Sequence, residues 1–98
     1  MVKHMIIWKM KEDVVDKTAC ALRIKAALEG LLGKIDGLLS MHIITVGLPS
    51  STGDLMMDSS FESAEALAAY AVHPLHVAVA DELVRPNMAS RAAFDFEI

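Results

Sequence analysis

From Val2 to Met10 the chain alternates, with Val2, His4, Ile6, Trp8 and Met10 on one side and Lys3, Met5, Ile7 and Lys9 on the other. A period of two is that of a strand, and apolar groups on both sides near its middle mark a central strand covered on both faces. The next segment changes period. Ala21, Ile24, Leu28, Leu31 and Ile35 recur at spacings of three and four, which predicts one helix over about residues 14–35 with a single apolar stripe. Asp13 is the expected N-cap, Asp16 sits favourably in the first turn, and Gly33 with Asp36-Gly37 supplies the stop.

Residues 38–46 are dense in apolar and β-branched side chains and read as a second strand, followed by a loop from Gly47 to Gly53. Leu55, Met57, Ser59 and Phe61 then alternate with Asp54, Met56, Asp58 and Ser60, a third strand whose Phe61 marks its core side. Ser63 caps a second helix, which Pro74 interrupts. A short new helix starts there, because proline is tolerated at a first helical position, and runs through Val77, Ala80, Leu83 and Val84 to Arg85-Pro86. Residues 90–98 close the chain as a strand with Ala92, Phe94, Phe96 and Ile98 on one face.

The order is β-α-β-β-α-β within 98 residues, a single α+β domain over 1–98 of ferredoxin-like topology: an antiparallel sheet with its helices on one face. The other sheet face then carries Met5, Ile7 and Met56 without helical cover, and a second copy of the chain would cover it. Composition points the same way. At 54% hydrophobic the chain is too apolar for disorder, and so small a domain cannot bury that much surface alone. A homodimer is therefore expected.

Nine basic against thirteen acidic residues give a net charge of −4, which offers nothing to nucleic acid or an anionic membrane. The opening apolar run ends at Lys9, short of the ~7–15 residues of a secretion signal, and no window approaches the ~18 of a membrane span. The one cysteine, Cys20, has no partner for a disulfide, so a cytoplasmic location is expected.

Candidate chemistry gathers in Tyr70-Ala71-Val72-His73-Pro74-Leu75-His76. Helical spacing puts Tyr70, His73 and His76 about one turn apart, and Pro74 fixes the backbone between them. An imidazole moves protons near neutral pH, and a phenol donates to a developing oxyanion. The plainer reading has His73 satisfying a backbone group at the helix break while Tyr70 packs. His4 shares a strand face with Ile6 and Trp8. It is either a hydrogen-bonded core histidine or, if it meets His76, the wall of a cavity that Trp8 also lines. His73 and His76 with His4 or Asp81 lack the spacing of a zinc motif, and no phosphate-binding glycine loop is present, so neither a metal nor a cofactor is expected.

Five segments together resemble the stress-responsive dimeric α/β-barrel (Dabb) family. They are Val2-Lys3-His4 before an apolar strand, Gly33-Lys34-Ile35-Asp36-Gly37-Leu38, Asp54-Leu55 leading to Phe61-Glu62-Ser63, His73-Pro74-Leu75-His76, and Phe94-Asp95-Phe96. The resemblance implies a ferredoxin-like protomer that pairs sheet to sheet as a dimeric α/β barrel. A plant polyketide cyclase of that family works without a cofactor. By resemblance to it, Tyr70 and His76 are the catalytic pair, and His4, Trp8, Leu55 and His73 lie among the substrate-binding positions. Leu55 stands where that enzyme has a further pocket histidine, a departure that bears against polyketide cyclisation itself and leaves simpler proton transfer open. The functional expectation is a small-molecule-binding barrel acting as a cofactor-independent lyase, cyclase or isomerase. The rivals are a non-catalytic stress-related oligomer and a cofactor-free monooxygenase.

Overall fold

The structure, a computed structural model, describes residues 1–98. Its elements follow in the order β1 (Val2–Met10), α1 (Lys17–Glu29), β2 (Leu38–Ile44), β3 (Leu55–Phe61), α2 (Ala64–Ala71), α3 (Pro74–Val79) and β4 (Met88–Glu97). Between α3 and β4 the backbone stays helical but changes pitch, through a π turn over Ala80–Val84 and a 3-10 turn over Arg85–Asn87. The sheet order is β2-β3-β1-β4, with every neighbouring pair antiparallel. This is the ferredoxin-like α+β protomer expected, with β1 central as its two-sided apolar pattern required.

The core lies between the helices and one sheet face. Ile6 and Trp8 of β1, Ile43 of β2, and Met57 and Phe61 of β3 meet Ile24 and Leu28 of α1 there, each no more than 4% exposed. Burying one such side chain contributes about 1.5–3 kcal/mol. Ser59 shares that face, and its hydroxyl donates to the carbonyl of His4 at 2.7 Å, which removes the cost of an unpaired polar group inside the core.

α1 is shorter than its apolar stripe. Asp16, rather than Asp13, is its N-cap, accepting from the Ala19 N–H at 3.0 Å, and the helix ends at Glu29 with Gly30 as its cap. Leu31 and Ile35 are still buried, but from successive turns, because Gly33 and Gly37 adopt φ of +86° and +84° and redirect the chain. Gly37 is doubly constrained. A Cβ there would stand 2.6 Å from Cβ of Ala66, so this turn lets α2 pack against it.

The two sheet edges are treated differently. At β2, Glu29 accepts from the Ile43 N–H at 2.9 Å while Lys25 donates to the Ile43 carbonyl at 2.9 Å, so helix α1 occupies hydrogen-bonding groups that an edge strand would offer to another chain. At β4 every residue after Met88 is exposed. Its register places Phe94 opposite Met5, Phe96 opposite Lys3 and Ala92 opposite Ile7, on the face away from the helices. Ile7 (50% exposed) and Phe94 (70% exposed) therefore belong to one uncovered apolar sheet face, to which Met56 and Ile44 add from β3 and β2. No helix of the chain is long and apolar enough to cross a membrane.

Candidate functional site

The opposite, helix-facing side of β4 carries Arg91, Ala93 and Asp95, which sit across from Trp8, Ile6 and His4 of β1. The helices do not cover this strand, and a cavity of about 450 Å³ opens between β1, β4, α2 and the helical segment 74–87. Its size is that of a small-molecule site, ~300–1,000 Å³. Ile6, Trp8, Leu28, Met57, Leu67 and Val84 give it apolar walls. His4, Tyr70, His76, Arg85, Arg91 and Asp95 supply all of its ionisable groups.

Tyr70 comes from the last turn of α2. It is 1% exposed, and its ring packs against Phe61 with centroids 4.9 Å apart. Its hydroxyl has no hydrogen-bond partner and no contact with solvent. Buried polar groups are nearly always paired, so an orphan of this kind calls for an explanation. Desolvation pushes the phenol well above its ordinary value, so at neutral pH it is a hydrogen-bond donor.

His76 lies over Tyr70, with ring centroids 4.2 Å apart and planes at 34°. Pro74 begins α3, the short helix that carries His76. His76 Nδ1 stands 3.2 Å from the carbonyl of Ala71, which makes Nδ1 the protonated nitrogen and leaves Nε2 with its lone pair. Desolvation lowers the His76 pKa; the Ala71 carbonyl opposes that, and the positive charges of Arg85, His4 and Arg91 add to it. The imidazole is thereby held neutral, as a base must be.

His4 is 8% exposed, and its Nδ1 lies 2.5 Å from a carboxylate oxygen of Asp95 across the β1–β4 pair. That contact fixes the ring and directs Nε2 inward, where His4 meets Tyr70 edge to face at a centroid distance of 6.5 Å. Tyr70, His76, His4 and Trp8 thus converge on one cavity from three elements, with β1 distant in sequence from α2 and α3.

Two expected site residues do not line it. His73 is the N-cap of α3: its backbone is extended (φ −67°, ψ 133°), as a residue before proline prefers, and its Nδ1 accepts from the Leu75 N–H at 3.1 Å. Leu55 is a core residue, 4% exposed, opposite Trp8 on β3. The cavity opens toward β4, on the far side of β1, and β3 reaches it through Met57 instead. Nowhere in the chain do three His, Cys, Asp or Glu side chains converge as metal ligands.

Arg85, Arg91 and Asp95 are cavity residues that the sequence reading passed over. The signal was available for two of them. If Ala92, Phe94 and Phe96 share one face of the last strand, Arg91 and Asp95 must share the other.

No functionally curated protein matches the chain by sequence. Among solved structures, the chain is similar to a dimeric protein of unknown function with a ferredoxin-like fold from Bacteroides fragilis, at 30% identity and a TM-score of 0.88 over 99% of this chain and 95% of that one. A Dabb family protein from Mesorhizobium loti aligns at 18% identity with a TM-score of 0.78, over 99% and 95% of the two chains. A hydroxynitrile lyase from Passiflora edulis aligns at 17% identity with a TM-score of 0.81, over 99% and 92%. The family model for the Stress responsive A/B Barrel Domain matches residues 2–98, and on that match, with the fold just described, the chain belongs to this family.

Proposed function

We propose that the cavity binds a small, largely apolar carbonyl compound and that Tyr70 and His76 catalyse a cofactor-independent proton transfer on it, as a lyase, cyclase or isomerase does. The observation that carries this reading is the Tyr70 hydroxyl, a buried donor with no partner, beside an imidazole whose Nε2 is free. A substrate carbonyl oxygen accepts from Tyr70. His76 Nε2 takes a proton from the carbon next to that carbonyl, and the C–H electron pair moves into a new C=C bond while the C=O π pair moves onto oxygen. Donation from Tyr70 stabilises that oxygen as its charge grows. Return of the proton to carbon completes an isomerisation; in the alternative, the enolate carbon attacks a second carbonyl, the first C=O re-forms, and the proton held by His76 passes to the new alkoxide, which regenerates the neutral imidazole. His4, held by Asp95, orients the substrate. His73 and Leu55 act indirectly, by setting the start of α3 and by packing behind Trp8. A hydroxynitrile lyase is built on the same fold, which is compatible with carbon-acid chemistry in such a cavity.

The working unit in this proposal is a homodimer. Relatives from Bacteroides fragilis and Thermobifida fusca are dimeric, and the uncovered face bearing Ile7, Phe94 and Met56 pairs with its copy so that two sheets close a barrel.

The test is α-proton exchange. The protein is incubated in D₂O with a panel of small aldehydes and ketones and followed by NMR, with Trp8 emission as the binding readout. Catalysed deuteration by the wild type, lost in both Tyr70→Phe and His76→Ala, supports the proposal. A panel that neither exchanges nor perturbs Trp8 points to the non-catalytic oligomer.

A further inference from the structure

We infer that the ligand of this cavity is an organic acid, its carboxylate held at the mouth by Arg91 with help from Arg85 and its apolar body directed inward past Trp8 toward Tyr70. The inference rests on the proposed binding role of the cavity and adds the charge of what enters it. Over the whole chain acidic residues outnumber basic ones, thirteen to nine. The cavity inverts that balance, with two arginines against one carboxylate.

Most of these charges are already engaged. Asp95 is committed to His4, and Arg85 forms an ion pair with Asp81 one helical turn back. The remaining ion pairs of the chain, Lys3–Asp58 and Lys25–Glu29, lie elsewhere, so Arg91 has no internal counter-ion. A lone arginine on an exposed strand is ordinary. This one stands opposite the buried Trp8 and on the wall of an apolar cavity. Behind it, the orphan Tyr70 hydroxyl marks a second polar contact that the protein itself does not make.

The spacing between the two ends suits a small acid. Arg91 and Asp95 are four residues apart on one strand, roughly 13 Å, with the small Ala93 between them. The anionic end therefore sits well away from the His4–Asp95 carboxylate, where repulsion would be felt. A guanidinium reads a carboxylate through two parallel N–H donors, and the pair gains strength beside low-dielectric walls. Desolvation, with a smaller contribution from the positive charges of Arg85 and Arg91, lowers the His76 pKa and so favours the neutral form that serves as a base.

Octanoate and its neutral isostere octanamide separate charge from shape. Trp8 is the chain's only tryptophan and lines the cavity, so its emission reports occupancy of this site. Wild-type protein should bind octanoate at least about tenfold more tightly than octanamide, with the preference shrinking as salt is added. Arg91→Gln should erase the preference, by weakening octanoate far more than octanamide. Arg85→Gln should reduce it less, because Arg85 already engages Asp81. Equal binding of the two ligands by the wild type, or an octanoate preference that survives Arg91→Gln, overturns the inference while leaving a neutral-ligand cavity intact. If neither compound alters Trp8 emission, the inference and the binding role it rests on both fall.

Discussion

Replacing Tyr70 with phenylalanine deletes one oxygen atom and leaves the ring, its packing on Phe61 and its contact with His76 in place. In most buried sites that change costs stability, because a hydrogen bond is lost. Here the hydroxyl is inaccessible to solvent and bonded to nothing. Holding a hydroxyl in that state costs about 1–3 kcal/mol relative to water. Tyr70→Phe should therefore stabilise the ligand-free protein, by about 1 kcal/mol at the low end of that range. For a domain of this size the gain corresponds to a rise in Tm of roughly 4–8 °C. Urea denaturation at matched protomer concentration is the assay, with the midpoint rising and the slope unchanged. The same variant should lose α-proton exchange by about 10²-fold, the usual effect of removing one donor to a developing oxyanion. Gain of stability with loss of activity is the signature of a group kept for its chemistry. A Tyr70→Phe protein that is less stable than the wild type by about 1 kcal/mol would show that the hydroxyl has a native partner, and the argument for the site would fail.

Three further outcomes follow from named contacts. His73→Ala removes the acceptor that caps α3 and should cost about 0.5–1.5 kcal/mol, whereas His76→Ala, at a partly buried side chain on the cavity wall, should shift stability by less than ~0.5 kcal/mol while abolishing exchange; differential scanning calorimetry of the two proteins compares them directly. Ile7→Lys places an ammonium group in the uncovered apolar face and should turn the dimer into monomers at micromolar concentration, which sedimentation velocity resolves. Because the folded protein lowers the His76 pKa, the unfolded chain takes up that proton first on acidification: stability contributed here is complete above about pH 6.5 and falls as pH drops from there to the folded value, and the exchange rate should lose its base form only below pH 6.5. Tyr70, His4, Arg85, Arg91 and Asp95 all face the same cavity, so an NMR titration of the His76 ring itself is the check.

Much of the architecture was legible in residue order. Strand β1 showed its central place by carrying apolar groups on both sides, the third strand matched to within one residue, and Pro74 marked the break between α2 and α3. These are local decisions, made by side-chain period and by which backbone angles a residue tolerates. The helix ends were read less well for a physical reason. Leu31 and Ile35 continue the apolar stripe of α1 because both are buried, yet burial does not require that they be helical, and two glycines at positive φ carry them into the core from turns.

The site divides in the same way. Residue order put Tyr70 and His76 on either side of the break that Pro74 marks, and the turn between α2 and α3 is what brings their rings together. Sequence could not say that His4 joins them, since the pairing with Asp95 spans 91 positions and exists only because β4 returns antiparallel beside β1. His73, directly before Pro74, was readable as the residue that satisfies a backbone group at the helix break, and the folded path shows it bonded there while His76 turns to the cavity. Residue order determined which side chains can share a face. Tertiary structure decided which faces meet, and the cavity exists because the helices stop short of β4 and leave Arg91 and Asp95 looking across at a buried, unpaired phenol.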